Sequence, residues 1–238
     1  MSNLCKSFRC SILALILLAP MAASIPARAA DDLDKVLARL DASSAKFKSA
    51  QADIVWDNVQ TQPIEDKDSQ AGTVLFDRKG GQLQMALHLK TDNGRPIEKE
   101  MVYAGGVFKL YEARIKQLQI FQAGANRAQY DMFLTVGFGG SGKDLQKNWD
   151  VSLVGTETVD GVSAPKLQLI PRDANLLKSI TKVFLWIDMD KGVAVKQQSF
   201  DPAGNYRMVV YHGIKLNVPT PSDAFEIKTA PGTQTVNH

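Results

Sequence analysis

The stretch from Val183 to Val236 reads VFLWIDMDKGVAVKQQSFDPAGNYRMVVYHGIKLNVPTPSDAFEIKTAPGTQTV. Its three apolar-rich runs are Phe184 to Met189, Val193 to Phe200 and Tyr206 to Val218. The first turn, Asp190-Lys191-Gly192, suits a tight hairpin, and the second combines a proline that presets φ with a glycine that accepts a positive φ. The pattern predicts an antiparallel meander. Long strands joined by tight turns build a wide curved sheet, whose concave face must be filled.

Period-two alternation predicts further strands between residues 52 and 170. The clearest is Gln82 to Lys90, where Leu83, Met85, Leu87 and Leu89 share one face. The other predicted strands are Ala52 to Thr61, Gly72 to Asp77, Glu98 to Ala104, Val107 to Glu112, Lys116 to Gln122, Trp149 to Glu157 and Ser163 to Ile170. A short run at Ala224 to Lys228 is also counted, which gives about eleven strands in all. Gln62 to Gln70 and the tail after Thr229 are predicted to be loose.

Two segments have helical character. Asp31 to Lys48 places Leu33, Val36, Leu37, Leu40 and Phe47 at helical spacing, and its acidic start suits the helix dipole. Arg127 to Lys147 is a second, very apolar insert between strands. Strands, a helical insert and then strands again indicate an antiparallel sheet with helices on one side.

The insert has two interpretations. Its apolar residues are Tyr130, Met132, Phe133, Leu134, Val136, Phe138 and Leu145, and its glycines are Gly137, Gly139, Gly140 and Gly142. An ordinary core would use it to seal the sheet. Alternatively, because glycines lower local stability and permit hinge-like opening, the insert would be a mobile lid over an apolar cavity. The residues alone leave both open.

The N-terminus predicts a secretory signal peptide over residues 1–29. Lys6 and Arg9 form a basic region, Ile12 to Ala19 is a short apolar run, and Ala27-Arg28-Ala29 fits a cleavage site. The run is too short to span a bilayer. Both cysteines, Cys5 and Cys10, lie in this leader. Residues 30–238 are expected to form one exported domain with no thiol.

The leader also carries the excess charge. Without its three basic residues, 25 basic and 25 acidic residues remain, so the mature protein is near neutral. No basic run with interleaved aromatics follows it, so we expect no nucleic-acid partner.

The sequence has no catalytic signature. Gly137 to Lys143 matches the G-x-x-x-x-G-K phosphate loop, but the next residue is Asp144 where a Mg²⁺-binding Ser or Thr is required, and no βαβ context follows. His88, His212 and His238 stand far apart, so no metal site or other cofactor is expected. Acid pairs such as Asp188 with Asp190 lie at turns or helix starts. A hydrolase that uses such acids in a cleft is an alternative to a binding protein.

The C-terminal meander resembles periplasmic outer-membrane lipoprotein carriers of the LolA type. The matching pattern is W-I-D-x-D-x-G, then D-x-x-G-x-Y, a long strand and F-x-x-x-x-P-x-G; its residues are Trp186, Ile187, Asp188, Asp190, Gly192, Asp201, Gly204, Tyr206, Phe225, Pro231 and Gly232. The resemblance implies a mainly β (α+β) fold: an incomplete antiparallel β-barrel of about eleven strands, with two or three helices covering its concave face. It also implies a non-enzymatic periplasmic carrier that shelters the acyl chains of lipoproteins and transfers them from the inner to the outer membrane.

The resemblance further implies partners and a site. The partners would be an inner-membrane ABC lipoprotein exporter and an outer-membrane acceptor, and we expect a monomer. A free-lipid carrier or a lipid-sensing domain of the same fold is an equally compatible alternative. Carriers of this type have an arginine after an early strand that holds the lid through backbone hydrogen bonds, and Arg78 occupies the comparable place. The family's following proline and phenylalanine are replaced by Lys79, Gly80 and Gly81.

The expected lipid-binding cavity and lid combine the stripe of the clearest strand with aromatic residues of its neighbours and the apolar insert. Its residues are Trp56, Phe76, Leu83, Met85, Leu87, Leu89, Tyr130, Met132, Phe133, Leu134 and Phe138.

Overall fold

The computed structural model describes residues 26–124, 127, 131 and 136–238. Their strands are β1 (Ser49–Gln60), β2 (Asp66–Lys79), β3 (Gln82–Asp92), β4 (Arg95–Ala104), β5 (Val107–Glu112), β6 (Gln117–Gln122), β7 (Trp149–Val159), β8 (Val162–Pro171), β9 (Lys182–Asp188), β10 (Val193–Phe200), β11 (Tyr206–Leu216) and β12 (Gln234–Asn237). Their helices are α1 (Pro26–Ser44), α2 (Gly142–Asn148) and α3 (Ala174–Leu177), with a 3-10 turn at Ala113–Ile115.

The twelve strands form one sheet in the order β12-β6-β5-β4-β3-β2-β1-β11-β10-β9-β8-β7. All neighbouring pairs are antiparallel except β12 with β6. The two edge strands, β12 and β7, do not pair with each other, so the sheet stays open. The expected mainly β fold, an incomplete barrel with helices, is confirmed.

Strand β1 joins the two halves of the sheet. It pairs with β2 on one side and with β11 on the other, so the first strand and the C-terminal meander lie next to each other. The connection from β6 to β7 must therefore pass from one edge of the sheet to the other. Residues 136–148 of this connection lie on the face that carries the helices, here called the concave face.

The larger part of the core lies on the concave face, in two clusters, and a smaller third cluster around Trp186 lies on the outer face. The first is formed by β1, β2 and β3 together with Phe47 and Phe138. The second lies under the first two helices, where Val36 and Leu40 of α1 and Leu145 of α2 pack against Leu185 of β9. The segment from Val136 to Phe138 contributes one residue to each cluster, so it ties the two halves of the core together.

Helix α1 follows the predicted stripe, but its limits differ from the prediction. It begins at Pro26 instead of Asp31 and ends at Ser44 instead of Lys48, because Ser49 already pairs in β1. Its polar side is anchored on the β9–β10 turn, where Arg39 Nε donates to the Met189 carbonyl at 2.7 Å and Ser43 Oγ donates to the Lys191 carbonyl at 3.1 Å. None of the described helices is both long and apolar enough to cross a membrane.

The prediction for the C-terminal tail was wrong in two places. Residues 224–228 contain no strand, whereas β12 forms in the tail that was expected to be loose. The tail crosses the outer face instead of extending the meander: Thr220 Oγ1 donates to Asp77 at 3.2 Å, and the Ala230 amide donates to Tyr111 Oη at 3.1 Å. It then pairs in parallel with β6.

The prediction of a loose segment at Gln62 to Gln70 was also wrong in part, because β2 begins at Asp66. Its polar first half is held by the long register with β1, where Asp66 pairs with Gln60. Period-two hydrophobicity could not find this half of the strand, since its side chains are exposed or half-buried on both faces.

Candidate functional site

Phe138 is seated on the apolar wall of the concave face. It is 1% exposed. Its ring stacks on Phe76 of β2, with centroids 4.6 Å apart and an interplanar angle of 14°, and meets the edge of Tyr211 of β11 at 4.8 Å. Just before it, the Gly137 carbonyl accepts a hydrogen bond of 2.8 Å from the Ala194 amide. We call residues 136–139 the wedge, because they enter between the two core clusters.

Arg78 fastens the wedge to the end of α1. Its Nη1 donates to the Ser44 carbonyl at 2.9 Å, and its Nη2 donates to the Gly139 carbonyl. The guanidinium carbon lies 5.4 Å from the centroid of the Phe47 ring, within cation–π range. A guanidinium at an apolar surface is costly unless it is hydrogen-bonded. These two carbonyls therefore stabilise Arg78 in its position between Ser44 and the wedge.

A second hydrogen bond reaches the same carbonyl of the wedge. Ser44 Oγ donates to the Gly139 oxygen at 2.6 Å. Sequence reasoning missed Ser44, since a serine at a helix end carries no signal for such a role. It also missed Tyr211, which is one of several apolar residues along β11. Burial raises the pKa of the Tyr211 phenol far above its usual range, so this side chain is neutral beside Phe138.

The glycines of the insert are explained by close packing. A Cβ on Gly139 would lie 2.9 Å from both Arg78 Nη2 and the Phe47 ring, and a Cβ on Gly137 would lie 2.9 Å from the Ala194 Cβ. Both have positive φ, +75° and +94°. A Cβ on Gly142 would lie 2.5 Å from the Leu37 carbonyl oxygen of α1. These glycines thus let the wedge and α2 approach their neighbours.

The second half of the segment that matches the phosphate-loop pattern forms the N-terminus of α2. Ser141 caps α2: its Oγ accepts from the Asp144 amide at 3.0 Å, while the Asp144 carboxylate accepts from the Ser141 backbone amide at 3.3 Å. This reciprocal capping box explains why an acid stands where a nucleotide-binding loop needs a hydroxyl.

The structure brings the predicted β3 stripe together with the wedge. Leu83, Leu87 and Leu89 are buried in the cluster that contains Phe138, and Met85 packs against it half-buried. Phe76 is buried under the Phe138 ring, and Trp56 packs at the margin of the cluster. The predicted lid residues Tyr130, Met132, Phe133 and Leu134 lie outside the described residues.

Beyond the wedge, the concave face is less covered. Met101 pairs with Leu87 and Leu110 pairs with Met101, so all three side chains share this face, because directly paired residues of antiparallel strands do so. Met101 and Leu110 are half-buried, and Phe121 at the β6 edge is 37% exposed. The apolar wall therefore continues past the wedge toward the solvent.

Two parts of the insert border this less covered area. Tyr103 Oη of β4 donates to the Asp131 carboxylate, and Arg127 Nε lies 3.5 Å from the same carboxylate. The insert thus starts near β4 and reaches β10 at Gly137.

A cleft of about 350 Å³ lies on the opposite, outer face. It is lined by residues of β1 to β4 and of the C-terminal tail, among them Thr73, His88, Glu100, Asp223 and Glu226. Most of the residues that line this cleft are polar, and none of them belongs to the wedge. It is therefore separate from the concave site.

The acids and histidines that the sequence offers as candidate site residues form ion pairs and hydrogen bonds that stabilise the fold. His88 Nδ1 lies 3.7 Å from Glu100, and His212 pairs with Asp160. Burial would raise the pKa of Asp188, but hydrogen bonds from the Lys191 side chain and from the amides of Lys191 and Asp190 outweigh it and lower that pKa. Asp188 thus organises the β9–β10 turn. Within the described part of the chain, no group of three or more acids, histidines and cysteines is placed to hold a metal ion.

Comparisons with known proteins point to a fold. No model of a protein family matches the chain, and no curated protein matches it. Among solved structures, an uncharacterized conserved protein from Thermus thermophilus aligns with 87% of this chain and 99% of its own, at 11% identity and a TM-score of 0.53. A LolA superfamily protein from Nitrosomonas europaea aligns with 82% of this chain and 97% of its own, at 14% identity and a TM-score of 0.38. The likeness to the Thermus thermophilus protein shows a shared fold.

MucB of Pseudomonas aeruginosa, solved in complex with MucA, also aligns with this chain. The match covers 83% of this chain and 61% of the other, at 17% identity and a TM-score of 0.47. This chain therefore spans less than two thirds of that relative's length. At such identities the likeness concerns the fold alone.

Proposed function

We propose that this protein is a carrier, not an enzyme, that shelters the acyl chains of lipoproteins on the concave face of its sheet and transfers them from the inner to the outer membrane. The observation that carries the proposal is the seating of Phe138. A single aromatic side chain fills the apolar wall between Phe76 and Tyr211, and its loop is fastened by Arg78 hydrogen bonds. An acyl chain has the same apolar character as the wedge and competes for the same surface.

The half-covered continuation of the wall supports this function. Met85, Met101 and Leu110 offer adaptable apolar surface where an alkyl chain gains contact without first displacing a full core. Binding thus starts at the less covered area and proceeds by displacement of the wedge.

Magnitudes set a limit on how much the cargo is sheltered. Three chains of about sixteen carbons at ~0.8 kcal/mol per CH₂ would gain about 38 kcal/mol. Non-covalent affinity saturates near ~20 kcal/mol. The site therefore covers the chains only in part, or displacement of the wedge offsets much of the gain. A carrier needs that offset, since it has to release its cargo.

The partners and compartment are part of the proposal. A cleavable leader over residues 1–29 would direct the protein to the periplasm. There an inner-membrane ABC exporter would supply lipoproteins, and an outer-membrane acceptor would receive them. The resemblance of the C-terminal meander to LolA-type carriers and the basic and apolar pattern of the leader support this assignment.

The principal alternative is a free-lipid carrier or a lipid-sensing domain of the same fold. Native mass spectrometry of protein purified from its own periplasm separates the two. Acylated protein in the bound state supports the lipoprotein carrier, whereas phospholipid alone contradicts it. A complementary titration with a tripalmitoylated cysteine lipopeptide should show saturable binding that the unacylated peptide lacks. Absence of that binding would overturn both lipid functions.

A further inference from the structure

Three neighbouring strands change from apolar to polar at the same level of the concave face. Trp56 of β1 pairs with Gln70 of β2, and Gln70 pairs with Asp92 of β3. Because Trp56 packs against the concave cluster, the paired side chains share that face. We call these three residues the polar row. On its inner side lie Ile54 of β1 and Leu89 of β3, which are both buried in the cluster.

The outer side of the polar row is polar as well. The next concave pair along β1 and β2 is Asn58 with Asp68. Asn93 donates to Asp68, and Gln70 Nε2 lies 3.5 Å from the same carboxylate. The polar row is therefore the boundary between an apolar wall, suited to an alkyl chain, and a hydrated margin, suited to a polar head group.

Two buried polar atoms of the row have no hydrogen-bond partner among the described residues. They are the indole nitrogen of Trp56 and one carboxyl oxygen of Asp92. The chain has three tryptophans, and Trp186 contrasts with Trp56, since its indole donates to Glu157 at 2.7 Å. A buried donor without an acceptor is unfavourable and rare in proteins, so it calls for an explanation. A ligand acceptor that arrives at the boundary would supply one.

We propose that the indole N–H of Trp56 donates a hydrogen bond to the carbonyl oxygen that links an acyl chain to its head group. The chain beyond the carbonyl lies along Ile54 and Leu89, and the head group lies past the polar row toward Asp68. An indole can only donate, so it favours the strong acceptor of an ester or amide carbonyl over the weaker acceptor oxygen of an alkyl ether. The inference rests on the proposed function and specifies its cargo as carbonyl-linked chains.

The test compares two soluble lipids that differ by one carbonyl. They are 1-palmitoyl-lysophosphatidylcholine and its 1-O-hexadecyl ether analogue, each titrated calorimetrically below its critical micelle concentration. The wild type should bind the ester about tenfold more tightly than the ether, which corresponds to ~1.4 kcal/mol. Trp56→Phe should bind both lipids alike, because the ring remains and the donor is lost.

Trp149→Phe is the matched control. Trp149 also has a buried indole nitrogen without a partner among the described residues, but it lies in the second cluster, away from the polar row. This variant should keep the wild-type preference for the ester. An equal ester-to-ether ratio in wild type and Trp56→Phe, with both lipids bound, would overturn this inference and leave the proposed function standing. Failure of the wild type to bind either lipid would overturn both.

A measurement on the wild type covers the case in which Trp56→Phe does not fold. In a ¹⁵N-labelled sample, the indole N–H resonance of Trp56 should move farther downfield with the ester than with the ether. The Trp186 resonance serves as the internal reference, since its donor is already paired with Glu157. Equal shifts with both lipids would contradict the proposal.

Discussion

At the scale of single residues, two charged side chains act through backbone groups. Arg78 donates to the carbonyls of Ser44 and Gly139, and Asp188 accepts from the amides of Asp190 and Lys191. Each thereby fixes a loop. The difference lies in what the loop does: the Asp188 turn anchors α1, whereas the Gly139 loop carries the wedge.

Replacing Arg78 by leucine should favour the open state of the wedge. The two hydrogen bonds would be lost while apolar contact with Phe47 remained. If closure through Arg78 is worth about 1.4 kcal/mol, the affinity for a fluorescent fatty-acyl probe should rise roughly tenfold, and release to an acceptor should slow correspondingly. Fluorescence titration and a transfer assay measure the two effects.

Arg39→Leu is the control for this prediction. Arg39 also donates to backbone carbonyls, at Met189 and Asp190, but it makes no contact with the wedge. It should lower stability without raising acyl affinity. Unchanged affinity and transfer in Arg78→Leu would mean that Arg78 is only a turn residue.

Asp188→Asn should destabilise the fold at neutral pH. The carboxylate is nearly fully buried and accepts from two amides and from Lys191 Nζ at 2.8 Å, so the loss at pH 7 should be about 2 kcal/mol. The pKa of Asp188 is lowered in the folded state. Its contribution is therefore complete above the unfolded-state pKa of about 3.9 and is lost as the pH falls through the lower folded pKa.

Urea unfolding from pH 7 down to pH 2.5 measures this effect. The difference between wild type and Asp188→Asn should narrow at the acidic end. A difference that stays constant over this range would show that the charge of Asp188 is not what stabilises the turn.

At the scale of elements, the insert between β6 and β7 decides whether the concave face is a core or a site. Its described parts contact β4, β10, β2 and β11, so it spans both halves of the sheet. The wedge is joined to the sheet by one hydrogen bond at Gly137, by the side chains of Val136 and Phe138 in the two clusters and by the Arg78 contact. An element held in this way can open locally without global unfolding.

A disulfide between position 137 and position 194 should lock the wedge. The Cβ positions are 2.9 Å apart, so a shift of about 1 Å brings Gly137→Cys and Ala194→Cys to the usual separation of ~3.8 Å. Both native cysteines, Cys5 and Cys10, precede the expected cleavage site, so the pair would be the only thiols after cleavage there. Acyl binding should disappear on oxidation and return on reduction. Each single cysteine variant is the control, and binding that persists in the oxidised double variant would contradict displacement of the wedge.

At the scale of the whole molecule, the order of strands explains where each connection lies. The β6–β7 insert connects one edge strand, β7, with β6, the strand beside the other edge, and residues 136–148 of it lie on the concave face. The tail crosses the outer face from β11 to β6, where its last strand pairs and His238 stacks on Phe121 at 4.3 Å. The insert and the tail thus lie mainly over different faces of the sheet.

The leader should be removed without loss of the fold. The first described side chain of α1 that packs in a core cluster is Leu33, so cleavage before Ala30 or Asp31 leaves every described core contact in place. We expect mass spectrometry of the periplasmic protein to show a mature N-terminus at one of these two residues. A product that retains Met1, or one with a lipid adduct on Cys10, would contradict the prediction.

The sequence by itself determined that the protein forms an antiparallel sheet, and it also determined which face of several strands points to the core. The Val193 to Phe200 strand matches β10 in full, and the Leu83 to Leu89 stripe faces the core, because alternation reports burial directly wherever one face is covered. The Asp190 to Gly192 hairpin followed from turn chemistry alone. Arg78 was found only through a family resemblance, since a single arginine after a strand carries no pattern.

Only the tertiary structure decided three features: the close packing at the glycines of the insert, the path of the C-terminal tail and the side chains that form the polar row. Gly142 packs on Leu37, more than a hundred residues away in the chain, and no local pattern reports such an approach. The tail has polar and apolar residues without a period, so its path depends on contacts with Asp77 and Tyr111. The polar row depends on the register of three strands. Register is a property of two paired strands. The local sequence of one strand does not show which residues of the other strand lie opposite it.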